Sequence, residues 1–317
     1  MQRIVFMGTP EFSVPSLKIL LEACYEILAV VTPPDRPAGR GRKLKACPVK
    51  EFAVENELPV LQPEKLRDPE FIDALRKLNP DIIVVVAFRM LPEVVWQLPK
   101  KGTFNLHSSL LPDYRGAAPM NHAIINGEKE TGVTTFLLDH EIDTGKILFR
   151  EKVAISDDMN VGDLHDILMI KGAELVLKTV SALESGDVNP VDQNTMENPQ
   201  TLHPAPKFTK EDIKIDWRKK ATEVINFVRG LSPYPTAFTH LISPDQESHI
   251  LKVYKITRTE KSAPTPGVID SDGKSFLHIA TGDKFVSLES LQLAGKKRMN
   301  ISDFLRGFSI DPDWKMQ

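Results

Sequence analysis

The chain has 317 residues, of which 41% are hydrophobic and 26% are charged, with a formal net charge of −3 at pH 7. This composition is that of a folded globular protein long enough for two domains, and it excludes a disordered or collagen-like chain. No apolar run reaches the ~18 residues of a membrane-spanning helix, the first apolar run is too short for a signal peptide, and the only two cysteines lack metal-ligand spacing. We therefore expect a cytoplasmic protein with no membrane segment and no structural zinc ion.

The first half of the chain alternates between continuously apolar runs of strand length and helical patterns. Strands are predicted at Ile4–Met7, Ile27–Thr32, Ile82–Phe88, Thr103–His107 and Val133–Leu138. Helices are predicted at Ser13–Ala23, Val49–Asn56, Pro69–Leu78, Ala117–Ile125 and Val161–Glu184. Strands that are apolar on both faces are typical of sheets covered by helices on both sides, so this alternation predicts a doubly wound α/β domain with a mainly parallel sheet.

The pattern changes after Gly186. Residues 187–206 contain four prolines and few apolar side chains, which is typical of a linker. A short helix is predicted at Ala221–Arg229, followed by short strands that indicate a small barrel or sandwich, at Ala237–Leu241, Leu251–Ile256, Gly267–Asp270, Phe276–Ala280 and Phe285–Leu293. We expect an N-terminal domain over 1–189, a linker over 190–206 and a C-terminal domain over 207–317.

Charge is unevenly distributed along the chain. Residues 1–206 have a net charge of −7 and residues 207–317 have a net charge of +4, while residues 32–50 hold six basic side chains and one acidic one. Two interpretations are open: both basic regions are solvated surface, or they converge on a polyanion.

Candidate catalytic residues lie after two consecutive strands. Asn105 and His107 are two residues apart at the end of a predicted strand, so their side chains leave the same face. Asp143 follows the next predicted strand, and we expect it to lie at the same end of the sheet as Asn105 and His107. An amide that binds a developing oxyanion, beside an imidazole and a carboxylate, suits acyl transfer.

The sequence lacks motifs that are typical of several other enzyme classes. The turn after the first strand has a single glycine, Gly8, where a dinucleotide site has G-x-G-x-x-G, and the chain contains neither a P-loop nor a G-x-S-x-G elbow.

Several motifs together resemble the folate-dependent formyltransferases. They are Asn105-x-His107, Ser109-Leu-Leu-Pro112, Arg115-Gly-Ala-Ala-Pro119 and the turn at Asp143-Thr-Gly145. The resemblance implies a Rossmann-like domain, catalysis by Asn105, His107 and Asp143, and 10-formyltetrahydrofolate as the formyl donor, with no metal required. It also implies a folate-binding surface formed by Phe88, Met90 and Leu91 and by Ser109, Leu110, Leu111 and Pro112.

The remaining motifs resemble those members of the family that act on methionyl-tRNA. The opening segment FMGTPEFSVPSL, a basic insertion over 33–48 and a C-terminal region similar to an OB-like barrel carry this likeness. The resemblance implies formylation of initiator methionyl-tRNA by a monomer, a tRNA-binding C-terminal domain and tRNA contacts from Arg40, Arg42, Lys43 and Lys45. Two alternatives are a formyltransferase or formyl-folate hydrolase with a small substrate, and a non-catalytic RNA-binding protein.

Overall fold

The computed structural model describes residues 2–38, 43–196, 202–263, 265–310 and 313–317. The chain folds into two compact units, each made of three segments. Unit 1 comprises Met1–Gly116, Thr131–Val153 and His165–Pro204, and unit 2 comprises Ala117–Glu130, Ala154–Leu164 and Ala205–Gln317. None of the helices in the described ranges is both long enough and apolar enough to cross a bilayer.

The elements up to residue 185 alternate between strands and helices. In chain order they are β1 (Arg3–Gly8), α1 (Val14–Glu22), β2 (Glu26–Val31), β3 (Arg36–Ala38), β4 (Lys43–Lys45), α2 (Pro48–Glu55), β5 (Val60–Leu61), α3 (Pro69–Leu78), β6 (Ile82–Val86), α4 (Glu93–Trp96), β7 (Thr103–His107), β8 (Arg115–Gly116), α5 (Pro119–Ile125), β9 (Glu130–Leu137), β10 (Ile147–Ala154) and α6 (Val161–Ser185).

Unit 1 contains a seven-stranded sheet in the order β10-β9-β7-β6-β1-β2-β5. The pairs β1–β2, β1–β6, β6–β7 and β2–β5 are parallel, whereas β9 is antiparallel to β7. The mainly parallel, doubly wound α/β fold is therefore confirmed.

The centre of this sheet is covered on both faces. All five residues of β6 are buried, and Ile83 and Val84, which point to opposite faces, are both 0% exposed. Ile83 packs in a cluster with Leu75 of α3. On the other face, a Cβ at Gly172 of α6 would lie 2.6 Å from Leu106 of β7, so this glycine lets the helix approach the sheet closely.

Unit 2 is dominated by the C-terminal part of the chain. Its further elements, preceded by β11 (Pro204–Ala205), are α7 (Ala221–Leu231), β12 (Ala237–Ile242), β13 (Ser248–Ser262), β14 (Ile269–Ser271), β15 (Leu277–Ala280), β16 (Lys284–Leu293), β17 (Met299–Asn300), α8 (Ile301–Gly307) and β18 (Lys315–Met316).

The strands of unit 2 form a nearly closed antiparallel barrel. The order is β14-β15-β16-β13-β12-β18, with β17 paired to β16. A bridge between Val268 and Lys315 joins the chain just before β14 to β18, and so links the two edges of the sheet. The predicted C-terminal barrel is confirmed.

The sequence prediction missed or shortened strands that have one solvent-facing side. β10 was not predicted, and β13 extends from Ser248 to Ser262 where only Leu251–Ile256 was expected. In both strands exposed residues alternate with buried or half-buried ones over most of the length, so an apolar run marks only a part of each strand.

Candidate active site

Strand β7 positions the first two candidate catalytic side chains. Phe104 and Leu106 are buried on one face, so the intervening Asn105 and His107 project from the other face. Asn105 is half-buried. Among the residues that the structure describes, no hydrogen-bond partner is found for its side-chain amide. The amide is therefore available to a ligand.

His107 is held in one orientation by the backbone. Its Nε2 lies 2.9 Å from the carbonyl oxygen of Tyr114. Because a carbonyl only accepts hydrogen bonds, Nε2 carries the proton of this contact. The other ring nitrogen, Nδ1, lies 3.7 Å from Oδ2 of Asp143, and both side chains are largely buried. At this distance the two atoms face each other without a direct hydrogen bond.

Asp143 is fixed at both its carboxylate and its backbone. Oδ2 accepts a hydrogen bond of 2.9 Å from the backbone N–H of Gly116. The residue has φ of 57°, in the left-handed region that aspartate tolerates better than most residues. Residues held in this region cluster at functional sites, and Tyr114, at φ 58°, is a second example here.

Asp143 reaches His107 by a route that the sequence did not predict. Asp143 does lie at the expected end of the sheet, but the reason given for it is wrong, because β9 is antiparallel to β7 and Leu137 pairs with Phe104. Because Phe104 is three residues before His107 and a strand rises about 3.3 Å per residue, β9 ends about 10 Å from His107. The following segment, residues 138–146, folds back along the sheet and brings Asp143 to the histidine.

Gln193 anchors this returning segment and was missed by the sequence analysis. Its side-chain Nε2 donates to the backbone oxygens of Asp143, at 2.9 Å, and Gly145, at 2.8 Å. Its Oε1 accepts from Arg115 at 2.6 and 3.2 Å. Gln193 lies in a short turn over Gln193–Thr195, within the region expected to be a linker, where a single glutamine among polar residues gives no recognisable signal.

The segment Ser109–Pro112 is tightly bonded to its surroundings. Ser109 and Leu111 are 0% exposed, and the Ser109 hydroxyl donates to the Asp113 carbonyl at 2.6 Å. The hydroxyl of Thr134 donates to Ser109 O at 2.6 Å and accepts from Leu111 N at 3.1 Å. Of the four residues, Leu110 and Pro112 keep exposed surface for a ligand.

The loop after β6 holds the other predicted folate contacts. Leu91 is buried, Phe88 is half-buried, and Met90 is 71% exposed. The loop is anchored by Arg89, whose guanidinium donates to Glu64 O at 2.8 Å and Pro63 O at 2.5 Å. Burial, and next the nearby Arg36, lower the pKa of the Arg89 guanidinium.

The basic insertion contains a short hairpin. β3 and β4 pair in antiparallel fashion, with Arg36 opposite Lys45, and both of these side chains are exposed. Lys43 is the first residue of β4, while Arg40 and Arg42 lie outside the described residues.

Comparisons with known proteins cover almost the whole chain. A family model described as formyl transferase matches residues 2–180, and one described as formyl transferase, C-terminal domain, matches residues 207–309. The methionyl-tRNA formyltransferase of Bacteroides thetaiotaomicron is 51% identical over 315 residues, which are 99% of this chain and 98% of that protein. That of Parabacteroides distasonis is 52% identical over 309 residues, 96% of this chain and 95% of that protein.

Two solved structures have a similar fold. The N-formyltransferase from Helicobacter canadensis, in complex with folinic acid and dTDP-3-aminofucose, has a TM-score of 0.65 at 22% identity, over 91% of this chain and 99% of that chain. HypX from Aquifex aeolicus, in complex with tetrahydrofolic acid, has a TM-score of 0.65 at 19% identity, over 99% of this chain and 50% of that chain. At these identities the likeness shows a shared fold.

Proposed function

We propose a mechanism for this chain as a member of the methionyl-tRNA formyltransferase family. The enzyme transfers the formyl group of 10-formyltetrahydrofolate to the α-amino group of methionyl-initiator-tRNA, giving formylmethionyl-tRNA for translation initiation. What we propose is the role of each residue. The observation that carries the proposal is the convergence of Asn105, His107 and Asp143, two of them on one strand and the third on the returning segment.

The reaction begins with attack of the amine nitrogen on the formyl carbon. An α-amino group has a pKa of about 7.7–8.0, so a useful fraction is neutral and nucleophilic near pH 7. Attack forms the new C–N bond and moves negative charge onto the formyl oxygen. The Asn105 amide, which has no partner among the described residues, donates to this oxyanion.

His107 and Asp143 handle the proton. Because the proton on Nε2 is engaged by Tyr114 O, the ring nitrogen that exchanges a proton is Nδ1, which faces Asp143. Asp143 accepts the proton that the amine loses and passes it to Nδ1 of His107. The bond from the formyl carbon to N10 of the folate then breaks, and the proton goes to that nitrogen.

The folate donor lies against the loops that follow β6 and β7. Exposed Met90 and partly exposed Phe88, Leu110 and Pro112 offer an apolar surface to the pterin. Ser109, Leu91 and Leu111 have buried side chains and support this surface from within.

The tRNA is bound through its phosphates by two basic regions. The exposed side chain of Lys45 on the hairpin supports a role for the insertion, together with Arg40, Arg42 and Lys43. The C-terminal domain, residues 207–317 with net charge +4, is the second region.

We further propose a cytoplasmic monomer: one chain supplies all three catalytic groups, and Cys24 and Cys47 are both free thiols, as in a reducing compartment.

The test is transfer of labelled formyl from 10-formyltetrahydrofolate to initiator methionyl-tRNA. Asn105→Ala removes the oxyanion donor, and we expect kcat to fall by about 10²–10³ with little change in KM for tRNA. His107→Ala is expected to lower kcat similarly. Lys45→Ala is expected to raise KM for tRNA at unchanged kcat and to reduce the salt slope of binding by about 1.

A matched control is Lys18→Ala, which removes an exposed lysine of α1 paired with Glu22 and is expected to change neither constant. Formyl transfer to a small amine but not to methionyl-tRNA would contradict the proposed tRNA-binding regions. Unchanged kcat in Asn105→Ala would contradict the proposed oxyanion site.

A further inference from the structure

One side chain, that of Gln193, makes two hydrogen bonds to the backbone of the folded-back residues 138–146. Gln193 is 4% exposed, and its Nε2 spans the backbone oxygens of Asp143 and Gly145. We propose that Gln193 is a positioning residue for the formyl transfer: it sets the backbone of Asp143 and thereby the distance from its carboxylate to His107. This inference rests on the proposed role of Asp143.

The hydrogen bonds of Gln193 fix which end of its amide faces which partner. Two backbone carbonyls can only accept, so they require the NH2 end, and the Arg115 guanidinium can only donate, so it requires the oxygen. Both N–H groups and the oxygen are satisfied. A fully satisfied, buried amide has one orientation and cannot rotate without leaving polar groups unpaired.

The same network ties Asp143 to residues 115–116 in two ways. Gly116 N donates to the Asp143 carboxylate, while Arg115, the preceding residue, donates to Gln193, which in turn donates to the Asp143 carbonyl. One path fixes the carboxylate and the other fixes the backbone behind it. With both in place the carboxylate has little freedom to move relative to Nδ1 of His107.

The backbone of Asp143 needs such support. Its φ of 57° is uncommon for a residue with a side chain, and a conformation of this kind persists where the surroundings enforce it. Gln193 itself is anchored by the two hydrogen bonds between Val191 and Ile147, at 2.8 and 2.9 Å. Removing the Gln193 amide leaves the Asp143 carbonyl without this donor and allows the residue to relax.

The experiment compares steady-state formyl transfer in Gln193→Ala, Asp143→Asn and the double variant, all as the full chain. We expect Gln193→Ala to lower kcat by up to about 10²-fold, the effect of a displacement of about 1 Å in a reacting group, at unchanged KM for folate and tRNA. In the Asp143→Asn background the same substitution should lower kcat less than about twofold, because the group that it positions is already absent.

Thr179→Val is the matched control for loss of a buried hydrogen bond. Thr179 is 0% exposed in the same unit, and its hydroxyl bonds Thr135 Oγ1 at 2.8 Å and Leu175 O at 2.7 Å. We expect this variant to lower Tm while kcat stays at the wild-type value. A similar loss of kcat in Thr179→Val and Gln193→Ala would assign the effect to stability and overturn the inference.

Gln193→Glu keeps the test valid if the alanine variant does not fold. The carboxylate keeps the side-chain volume and the contact with Arg115 but offers no donor to Asp143 O and Gly145 O. We expect kcat to fall as in the alanine variant, and a wild-type kcat would overturn the inference. If Asp143→Asn itself keeps full activity, the proposed role of Asp143 fails; if it loses activity and the Gln193 variants do not, the Gln193 inference alone fails.

Discussion

The central sheet of unit 1 and the barrel of unit 2 bury their strands in different ways. Every residue of β6 is buried, because this strand has strands on both sides and is covered on both faces. In β13 buried residues such as Leu251 alternate with exposed ones such as Ile250, which is 37% exposed. The sequence of β6 is a continuous apolar run, whereas apolar and polar residues alternate along much of β13. The pattern of apolar residues in a strand therefore indicates how many of its faces are covered.

Two carboxylates of unit 2 have a different role from that of Asp143 in unit 1. In unit 2 the hydrogen bonds that Asp283 accepts, first from Ala221 N at 2.8 Å, lower the pKa of its carboxyl. The Asp272 carboxyl has a lowered pKa because it accepts from the Ser275 hydroxyl and from nearby backbone N–H groups. These groups stabilise a helix start and a turn. In unit 1, Asp143 is instead aimed at His107.

The largest effect is expected from lysine substitutions that test face coverage. Ile83→Lys and Val84→Lys lie on opposite faces of β6, and each buries an unpaired charge, so each should lower the free energy of unfolding by at least about 3–5 kcal/mol. In β13, Leu251→Lys should lower the free energy of unfolding in the same way, whereas Ile250→Lys should leave it nearly unchanged. Urea unfolding followed by circular dichroism measures all four. If either β6 variant were as stable as the wild type, coverage of both faces would be disproved.

An intermediate effect is expected in the barrel core. The Trp217 indole N–H donates to Thr239 Oγ1 at 2.9 Å, and both side chains are buried. Thr239→Val keeps the shape but leaves the indole N–H unpaired and removes the hydrogen bond of 3.0 Å from the Thr239 hydroxyl to Gln317 O, which together should cost about 1–3 kcal/mol of stability. Urea unfolding monitored by tryptophan fluorescence checks this.

The control for this substitution is Thr257→Val, also in the barrel. Thr257 is only half-buried and bonds Glu289, which can turn to water, so the change should stay within about 0.5 kcal/mol. Equal losses of unfolding free energy in the two variants would show that the buried hydrogen bond of the indole contributes no more to stability than a half-buried one.

The smallest effect is expected from Asp283→Asn. Because folding lowers the pKa of this carboxyl, the charged form contributes stability above its unfolded pKa of about 3.9, and this contribution is lost as the pH falls through the folded value. The variant should therefore lose less stability than the wild type between pH 7 and acidic pH. Urea unfolding at several pH values measures the difference. Identical pH dependence in both proteins would contradict the hydrogen-bonded role of the carboxylate.

Much of the site could be predicted from residues close in sequence. Asn105 and His107 lie on one face of one strand, so their spacing alone predicted that their side chains project together. The proximity of Asp143 was expected for a reason that proved wrong, since β9 is antiparallel to β7. Strand direction depends on how the connecting segments cross the sheet, which the pattern of apolar residues does not report.

The sequence by itself determined the alternation of covered strands and helices, the short strands of the C-terminal domain and the placement of Asn105 and His107 on one face of β7, because all of these follow from periodicity over a few neighbouring residues. Only the tertiary structure decided how Asp143 returns to His107 and which residue holds it there. Gln193 is 50 positions from Asp143, and its amide contacts backbone carbonyls, which every residue type carries. Because any residue type can supply a backbone carbonyl, the sequence does not reveal such a hydrogen bond, and only the folded structure shows it.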